Sequence, residues 1–112
     1  SIIGIYGLTY KEKTNSIKNS PSLLLLDKLK KYNVFCFDEI LIKNKTKMFK
    51  FKWLEPKQMF KKCDVIFIMH KDNEINAIIN KNNFKNNKLT IIDPFNIFKI
   101  NLRKKFNYYE SL

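Results

Sequence analysis

Short apolar runs alternate with amphipathic segments along the chain. Four of the runs are rich in β-branched residues and predict buried strands, at residues 2–8, 34–37, 64–69 and 89–92. The segments between them predict helices that begin at Ser20, at Pro56 and after Asp72. Strands and helices that alternate in this order are typical of an open, mainly parallel sheet. We therefore expect a Rossmann-like, three-layer α/β/α fold with helices on both faces of the sheet.

The first helix has a clear start signal in the pair Ser20-Pro21. Ser is a favourable N-cap residue, and Pro fits the first helical position because its missing N–H would have no helical partner there. The pattern predicts a helix that continues to Tyr32 and ends at Asn33. Strand, helix and strand follow one another within the first 38 residues, which predicts a right-handed βαβ unit.

Residues 49–53 differ from the rest of the chain because aromatic and basic residues alternate there. Phe49, Phe51 and Trp53 are separated by lysines. We favour an amphipathic edge strand with its aromatic side chains inward and its lysines at the rim. The alternative is a surface that stacks single-stranded bases. The tail from Ile97 onward is amphipathic, and we assign no element to it.

The chain is strongly basic, with 22 basic and 10 acidic residues among 112 and a net charge of +12. Such a balance is typical of nucleic-acid-binding proteins. All the basic residues except Arg103 are lysines, however, and arginine is the side chain that supplies bidentate contacts to guanine and phosphate. Lys, Asn, Ile and Phe are also the residues of A/T-rich codons, so part of the charge reflects genomic composition. The positive field still attracts anions.

Cys36 and Cys63 lie in or beside apolar runs, which predicts two buried thiols in a reducing cytoplasm. There is no Cys-x-x-Cys pair, and the single histidine, His70, cannot complete a zinc site, so we expect no metal. The longest apolar runs have four or five residues, far below the ~18 that span a membrane. The chain opens without a signal-type segment or an initiator Met, so we expect a cytoplasmic piece of a longer protein.

Open α/β sheets bind ligands beside the carboxyl ends of their strands, near the point where the strand order reverses. Gly4 and Gly7 are the only glycines, so the dinucleotide fingerprint G-x-G-x-x-G is excluded, and we assign both to close packing and the strand exit. Asp38, at the end of the second strand, is either a ribose-binding acid or a cap, and we favour the cap. His70, at the end of the third strand, is either a ligand contact or a surface histidine, and we favour the surface.

The loop after the first strand carries the most specific pattern in the chain. Residues 7–21 read GLTYKEKTNSIKNSP. This run resembles the signature G-L-(A/S/T)-(F/Y)-K-x-x-T-(D/N)-(D/S)-(I/T)-(R/K)-x-S-P, which opens the C-terminal, UDP-binding domain of the UDP-glucose/GDP-mannose dehydrogenase family. It departs from the commonest residues mainly where Asn15, Ser16 and Lys18 replace Asp, Asp and Arg.

Later segments resemble the same family in the same order. They are the leucine-rich helix of residues 23–29, the strand that ends at Asp38, the CDVIFI run of residues 63–68, the IIDPFN run of residues 91–96 and the terminal YYESL. His70-Lys71-Asp72 is similar to an H-x-E/D motif of some members. The resemblance therefore covers nearly the whole chain.

The resemblance implies a specific activity for the longer protein. Members of the family are NAD-dependent dehydrogenases that oxidise the C6 alcohol of a nucleotide sugar to a carboxylate, a step in polysaccharide biosynthesis. An N-terminal domain binds NAD, and a central helical region carries the catalytic Cys and Lys and mediates dimerisation. The C-terminal domain closes over the nucleotide. By this resemblance residues 1–112 form that last domain, which is inactive alone, within a homodimer or larger assembly.

The resemblance also implies roles for three residues of the loop. Tyr10 and Lys11 contact the UDP-sugar, and Lys18 reaches a phosphate of NAD across the domain cleft. Phe95 replaces the arginine that contacts substrate in the family's D-x-R-N motif, which removes a bidentate anion contact and puts UDP-glucose in question as the substrate. The candidates to replace that charge are Lys99 and Arg103.

Two other functions fit the sequence. One is a free-standing nucleotide-binding or regulatory module without chemistry, and the other is a basic nucleic-acid-binding domain. Salt separates the two, because binding to a phosphate backbone weakens steeply and without base preference as the salt concentration rises.

Overall fold

The computed structural model describes residues 1–8, 21–39, 52–71, 74–82 and 86–111. The strands are β1 (Ile2–Tyr6), β2 (Asn33–Phe37), β3 (Val65–Ile68), β4 (Asn86–Asp93) and β5 (Phe106–Ser111). The helices are α1 (Pro21–Lys28), α2 (Pro56–Lys62), α3 (Glu74–Asn82) and the single-turn α4 (Ile100–Arg103). None of these helices is long and apolar enough to cross a lipid bilayer.

All the strands pair in parallel in one sheet of order β2-β1-β3-β4-β5. Ile5 of β1 lies opposite Cys36 of β2 on one side and Phe67 of β3 on the other. The chain therefore builds β2 on one side of β1 and then returns to build β3 on the other. This reversal places the topological switch point at the carboxyl ends of β1 and β3. The predicted parallel α/β sheet is confirmed.

Helices cover both faces of the sheet, as predicted. On one face, β1 and β2 pack against the leucines of α1, and the buried residues are Ile3, Ile5, Leu8, Val34 and Cys36. On the other face, α2, α3 and α4 contribute to the larger core, whose fully buried side chains include Met59, Phe60, Ile66, Ile68, Ile75, Ile79, Leu89 and Ile91. Neighbouring parallel strands that are buried on both faces have the near-continuous apolar sequences seen in the first and third strands.

The sequence pattern missed β5, which the structure places at the edge of the sheet beside β4. Its side chains are mostly exposed or half-buried, so it lacks the apolar run by which the other strands are recognised. Phe106 anchors it through a cluster of aromatic rings, with centroids 5.9 Å from Phe60 and 5.6 Å from Phe98. Packing between rings that are distant in sequence fixes this strand, rather than its own periodicity.

Other boundaries also differ from the sequence pattern. The first helix ends at Lys28 rather than near Tyr32, and β4 begins at Asn86 rather than at Leu89. The predicted caps Ser20 and Asp72 lie outside the described residues. Helix and strand ends are set by a few competing backbone hydrogen bonds, so local patterns place them only approximately.

One residue of the predicted edge strand, Trp53, forms an isolated parallel bridge with Cys36 of β2. The backbone N–H of Cys36 donates to the carbonyl of Lys52 at 2.7 Å, and the N–H of Leu54 donates to the carbonyl of Cys36 at 3.0 Å. The half-buried Trp53 ring packs against the α1 face of the sheet. Phe49 and Phe51 lie outside the described residues.

Both glycines stand where no side chain fits. A Cβ on Gly4 would lie 2.7 Å from Cγ of Met59 in α2. A Cβ on Gly7 would lie 2.5 Å from the ring of His70, and Gly7 also has φ of 106°, a conformation that residues with a Cβ rarely adopt. The sequence assigned both glycines to close packing and the strand exit, and the structure agrees.

Cys36 and Cys63 are free, buried thiols, as the sequence predicted. Burial raises the pKa of each thiol to about 12, and the neighbouring charge of Asp64 adds to the effect at Cys63. Both side chains are therefore protonated in the folded protein at neutral pH and serve as small apolar packing groups.

We expect Gly7→Ala to destabilise the fold more than Gly4→Ala. At Gly7 the new methyl group meets both a strained backbone and the His70 ring, so the loss is about 2–6 kcal/mol, since each effect costs about 1–3 kcal/mol. At Gly4 the new methyl group is overpacked against the adaptable Met59 side chain and, less closely, against Sγ of Cys63, at about 1–3 kcal/mol. Urea unfolding of the two variants measures both free energies. Equal losses would contradict the assigned role of Gly7.

The raised thiol pKa values predict a loss of stability at alkaline pH. Both thiols stay protonated in the folded state up to about pH 12, whereas they ionise near pH 8.5 in the unfolded chain. Stability is therefore fully present below about pH 8.5 and falls as the pH rises further, by roughly 1 kcal/mol per thiol between pH 7.5 and 9.5.

Comparison with a Cys36→Ala/Cys63→Ala double variant isolates this effect from the titration of the lysines. The difference in unfolding free energy between pH 7.5 and 9.5 should be larger for the natural chain than for the double variant. Parallel pH profiles would show that the two thiols ionise equally in the folded and unfolded states.

Candidate functional site

The ends of the central strands converge on one edge of the sheet. Here we call it the carboxyl edge and define it by the residues that follow β1 to β4, which are 7–8, 38–39, 69–71 and 94–96. The N–H of Gly7 donates to the carbonyl of Phe37, and the N–H of Met69 donates to the carbonyl of Tyr6, both at 2.8 Å. The exits from β1, β2 and β3 are therefore tied together at the switch point.

Two buried hydrogen bonds fix the chain on both sides of residues 9–20. On one side the N–H of Leu8 donates to Oδ2 of Asp38 at 2.8 Å. On the other side Oγ of Ser22, in the first turn of α1, donates to the carbonyl oxygen of Gly7 at 2.6 Å. The segment between them thus leaves and rejoins the described structure at the same point, the end of β1.

Asp38 and His70 are buried together behind this point. Asp38 is 1% exposed and His70 is 7% exposed, and Nε2 of His70 lies 3.4 Å from Oδ2 of Asp38. The Asp38 carboxylate accepts the Leu8 N–H from inside the protein, which supports the predicted cap rather than a ribose-binding acid. A buried carboxylate requires such partners, because desolvation would otherwise favour its neutral form.

The expectation that His70 lies on the surface is wrong. Its ring fills the space beside Gly7 that a larger residue would occupy, so the side chain is enclosed. Little in the sequence indicates this burial, because Gly7 and His70 follow different strands and are distant in the chain. The absence of a side chain at Gly7 is what admits the ring.

Asp93, at the end of β4, organises the next part of the edge. Its carboxylate is fully buried, and Oδ2 accepts hydrogen bonds from the N–H of Phe98 at 2.9 Å and from the hydroxyl of Tyr109 at 2.5 Å. Burial, followed by the hydrogen bond and negative charge of Asp93, raises the pKa of Tyr109, and the charge of Arg103 opposes this shift. Asp93 therefore links β4 to β5 through its side chain.

Phe95 stands on the turn after β4, with its ring exposed. Asn96, which follows it, has φ of 55°. The ammonium nitrogen of Lys71, at the end of β3, lies 5.2 Å from the centre of the Phe95 ring. Such a cation–π contact contributes about 0.5–1 kcal/mol at an exposed site. The sequence did not identify Lys71 as a site residue, although its place directly after a central strand was a usable signal.

Lys99 and Arg103, the two cations proposed to replace the missing arginine charge, contact other parts of the structure than Phe95. The Arg103 guanidinium lies 4.5 Å from the centre of the Tyr109 ring, and its Nε donates to the carbonyl of Phe98 at 3.0 Å. Lys99 lines a recess between α3 and α4 together with Asn76, Ala77, Asn80, Asn101 and Leu102. In the described structure, the cation in contact with Phe95 is Lys71.

A cleft of about 490 Å³ opens beside the carboxyl edge, on the face covered by α2 and α3. The stacked rings of Tyr6 and Phe37, with centroids 5.7 Å apart, contribute to its lining. Glu39, Glu55 and Glu74 also line it together with Lys57, so three acidic residues and one basic residue border the cleft. Among the described residues, no three His, Cys, Asp or Glu side chains are grouped as metal ligands.

The basic and aromatic stretch offers little support for nucleic-acid binding where it is described. Lys52 donates to Oδ1 of Asn33, and its ammonium nitrogen lies 5.0 Å from the centre of the Phe35 ring. Trp53 packs against the sheet. Both side chains thus take part in holding the edge of the fold, as expected for the edge-strand interpretation.

The residues with a role implied by the resemblance, Tyr10, Lys11 and Lys18, lie outside the described residues. Their roles in binding substrate and NAD stay predictions. The structure describes the two points from which the loop that carries them departs and to which it returns.

Comparison with solved structures found the UDP-N-acetyl-mannosamine dehydrogenase Cap5O from S. aureus, with a TM-score of 0.65 and 20% sequence identity. The match covers 98% of this chain and 26% of that protein, so the chain spans about a quarter of its length. At this identity the likeness supports the fold alone. A search of curated proteins found no match.

A sequence model of the UDP-glucose/GDP-mannose dehydrogenase family, UDP binding domain, matches residues 4–100. The match extends from β1 to the start of α4 and so includes the switch point and its loop. The resemblance seen in the sequence is confirmed, and the chain belongs to the UDP-glucose/GDP-mannose dehydrogenase family, with residues 4–100 corresponding to its UDP-binding domain.

Proposed function

We propose that this chain binds the nucleotide end of a UDP-sugar at the carboxyl edge. It acts as the C-terminal domain of an NAD-dependent dehydrogenase that oxidises the sugar C6 alcohol to a carboxylate. The match of residues 4–100 to the family's UDP-binding domain carries this proposal. The switch-point geometry supports it, since open α/β sheets bind ligands at the carboxyl ends of their strands.

Both ends of the loop that contains the proposed binding residues are anchored at this edge. Lys11 is three residues beyond Leu8, and an extended chain spans at most about 3.3–3.6 Å per residue, so its Cα lies within about 11 Å of Leu8. Lys18 is four residues before Ser22 and lies within about 14 Å of it by the same argument. Covalent connection thus limits how far both lysines can lie from the anchored ends of the loop, which supports the proposal.

The side chains suit the proposed ligand. The ammonium group of Lys11 is a compact positive charge, and a hydrogen bond from it to a diphosphate contributes about 1.5–3 kcal/mol. Tyr10, the preceding residue in the sequence, offers an aromatic ring for the nucleoside or sugar. The net charge of +12 adds a field that draws anions toward the surface.

The NAD cofactor would be held mainly by another domain. Both glycines of this chain are occupied in close packing and the strand exit, so it has no Gly-rich turn for a dinucleotide pyrophosphate. Only Lys18 is proposed to reach NAD, through a phosphate. NAD accepts the hydride in the reaction, while the residues of this chain bind and orient the nucleotide. The isolated chain therefore has no turnover.

Direct titration tests binding by the chain itself. We expect UDP to bind with millimolar affinity, since the other half of the pocket lies on domains outside this chain, and Lys11→Ala to weaken it about tenfold or more. Lys88→Ala is the matched control, because Lys88 is exposed on β4 near the amino ends of the strands. Ligand-observed NMR or calorimetry gives the affinities.

Two results would contradict nucleotide binding. One is the absence of any UDP response at millimolar concentration. The other is tight RNA binding that weakens steeply with salt and without base preference, which would favour the nucleic-acid interpretation.

Steady-state kinetics of the full-length dehydrogenase test the division of roles between the two lysines. Lys11→Ala should raise KM for the UDP-sugar by roughly ten- to a hundredfold and leave kcat nearly unchanged. A diphosphate contact holds the ground state and the transition state equally, so its loss is a loss of uniform binding. Lys18→Ala should raise KM for NAD instead. If Lys11→Ala abolished kcat at saturating substrate, the residue would position the sugar for chemistry.

A further inference from the structure

We infer that Lys71 is a further residue of the nucleotide site and binds the diphosphate from the end of β3. This inference rests on the proposed function, and it adds a second cation to the one expected from the loop. Neither the sequence motif nor the family match singles out this lysine.

The position of Lys71 is fixed relative to the end of β1. The N–H of Met69, two residues earlier, donates to the carbonyl of Tyr6 at 2.8 Å. The ring of His70, the preceding residue, lies against Gly7 and 3.4 Å from the Asp38 carboxylate. The backbone at Lys71 is therefore tied to the same strand end from which the loop of residues 9–20 departs.

Phe95 holds the side chain of Lys71 at the edge. The ammonium nitrogen lies 5.2 Å from the centre of the ring, and both residues are exposed. The ring itself stands on a turn that two hydrogen bonds to Asp93 stabilise. The N–H of Phe98 donates to Oδ2 of Asp93 at 2.9 Å, and the N–H of Asn96 donates to the Asp93 backbone carbonyl at 3.2 Å. A side chain that is already placed loses less conformational freedom when a ligand binds.

The contact leaves the positive charge available to an anion. An ammonium group has three N–H donors, and an aromatic face attracts the cation without neutralising it. Lys30, by contrast, pairs with the carboxylate of Asp27 at 3.6 Å. Within the described part of the chain, the contact of Lys71 is with a ring rather than a carboxylate.

The arrangement fits a ligand with more than one negative charge. Lys71 follows β3 and Lys11 lies in the loop that follows β1, and these two strands are neighbours in the sheet. A diphosphate presents anionic oxygens on both phosphates and can accept hydrogen bonds from two lysines at once.

The test compares uridine, UMP and UDP as ligands of the 112-residue chain and its variants. We expect Lys71→Met to weaken UDP binding about tenfold and to leave the affinity for uridine unchanged. Lys71→Arg should retain most of the affinity, because it keeps the charge. Phe95→Leu should weaken UDP binding by about two- to fivefold, because the lysine loses its aromatic support. Thermal unfolding confirms that each variant is folded.

Lys88→Met is the matched control, since it removes the same charge from an exposed site about 16 Å along β4 from the carboxyl edge. If UDP binds and Lys11→Ala weakens it, but Lys71→Met equals Lys88→Met, the inference about Lys71 is overturned and the proposed function stands. A loss of uridine binding in Lys71→Met would also overturn the inference, because the lysine would then act on the nucleoside. Failure of the natural chain to bind UDP would overturn both.

Discussion

The close approach of His70 to Gly7 is the contact on which the rest of the carboxyl edge depends. The ring occupies the space of a missing Cβ, while φ of 106° turns the chain out of β1. The same approach brings His70 beside Asp38, whose carboxylate accepts the next backbone N–H, from Leu8. Ser22 then bonds the Gly7 carbonyl, so one glycine joins three strands and a helix. A side chain at this position would separate elements that must meet for the loop to be anchored.

At this edge the carboxylates of Asp38 and Asp93 are buried, whereas the ammonium group of Lys71 is exposed. The buried carboxylates of Asp38 and Asp93 accept backbone N–H groups and hold turns in place. Carboxylates bonded in this way are stabilised in the protein interior, where unpaired ones would be costly. Lys71 stays exposed at this edge, whereas Arg103 is half-buried against the Tyr109 ring. The two buried carboxylates thus serve the architecture of the edge.

The chain resembles its family in the loop spacing and the strands, and it departs from the family at Phe95. The loop spacing, the strands and the anchoring of residues 9–20 are consistent with the family's UDP-binding domain. The replacement at Phe95 changes one turn, yet an aromatic ring there still has a lysine beside it, from the neighbouring strand. Residues from several strand ends share one edge of a parallel sheet, so a side chain from a neighbouring strand can lie beside a changed position. The position of a charged residue in the sequence therefore does not by itself tell where its charge lies at the edge of the sheet.

The sequence by itself determined the central strands, the first helix, the parallel α/β class and the loop motif. These features are encoded locally, in runs such as residues 64–69 and in the spacing of residues 7–21. Only the tertiary structure decided that His70 is buried, that β5 joins the sheet and that Lys71 stands beside Phe95. Each of these depends on contacts between residues far apart in the chain, and such contacts exist only once the sheet order has brought the strands together. The period of the hydrophobic pattern predicts which face of a helix or strand is apolar. The residues that pack against that face are determined only by the tertiary fold.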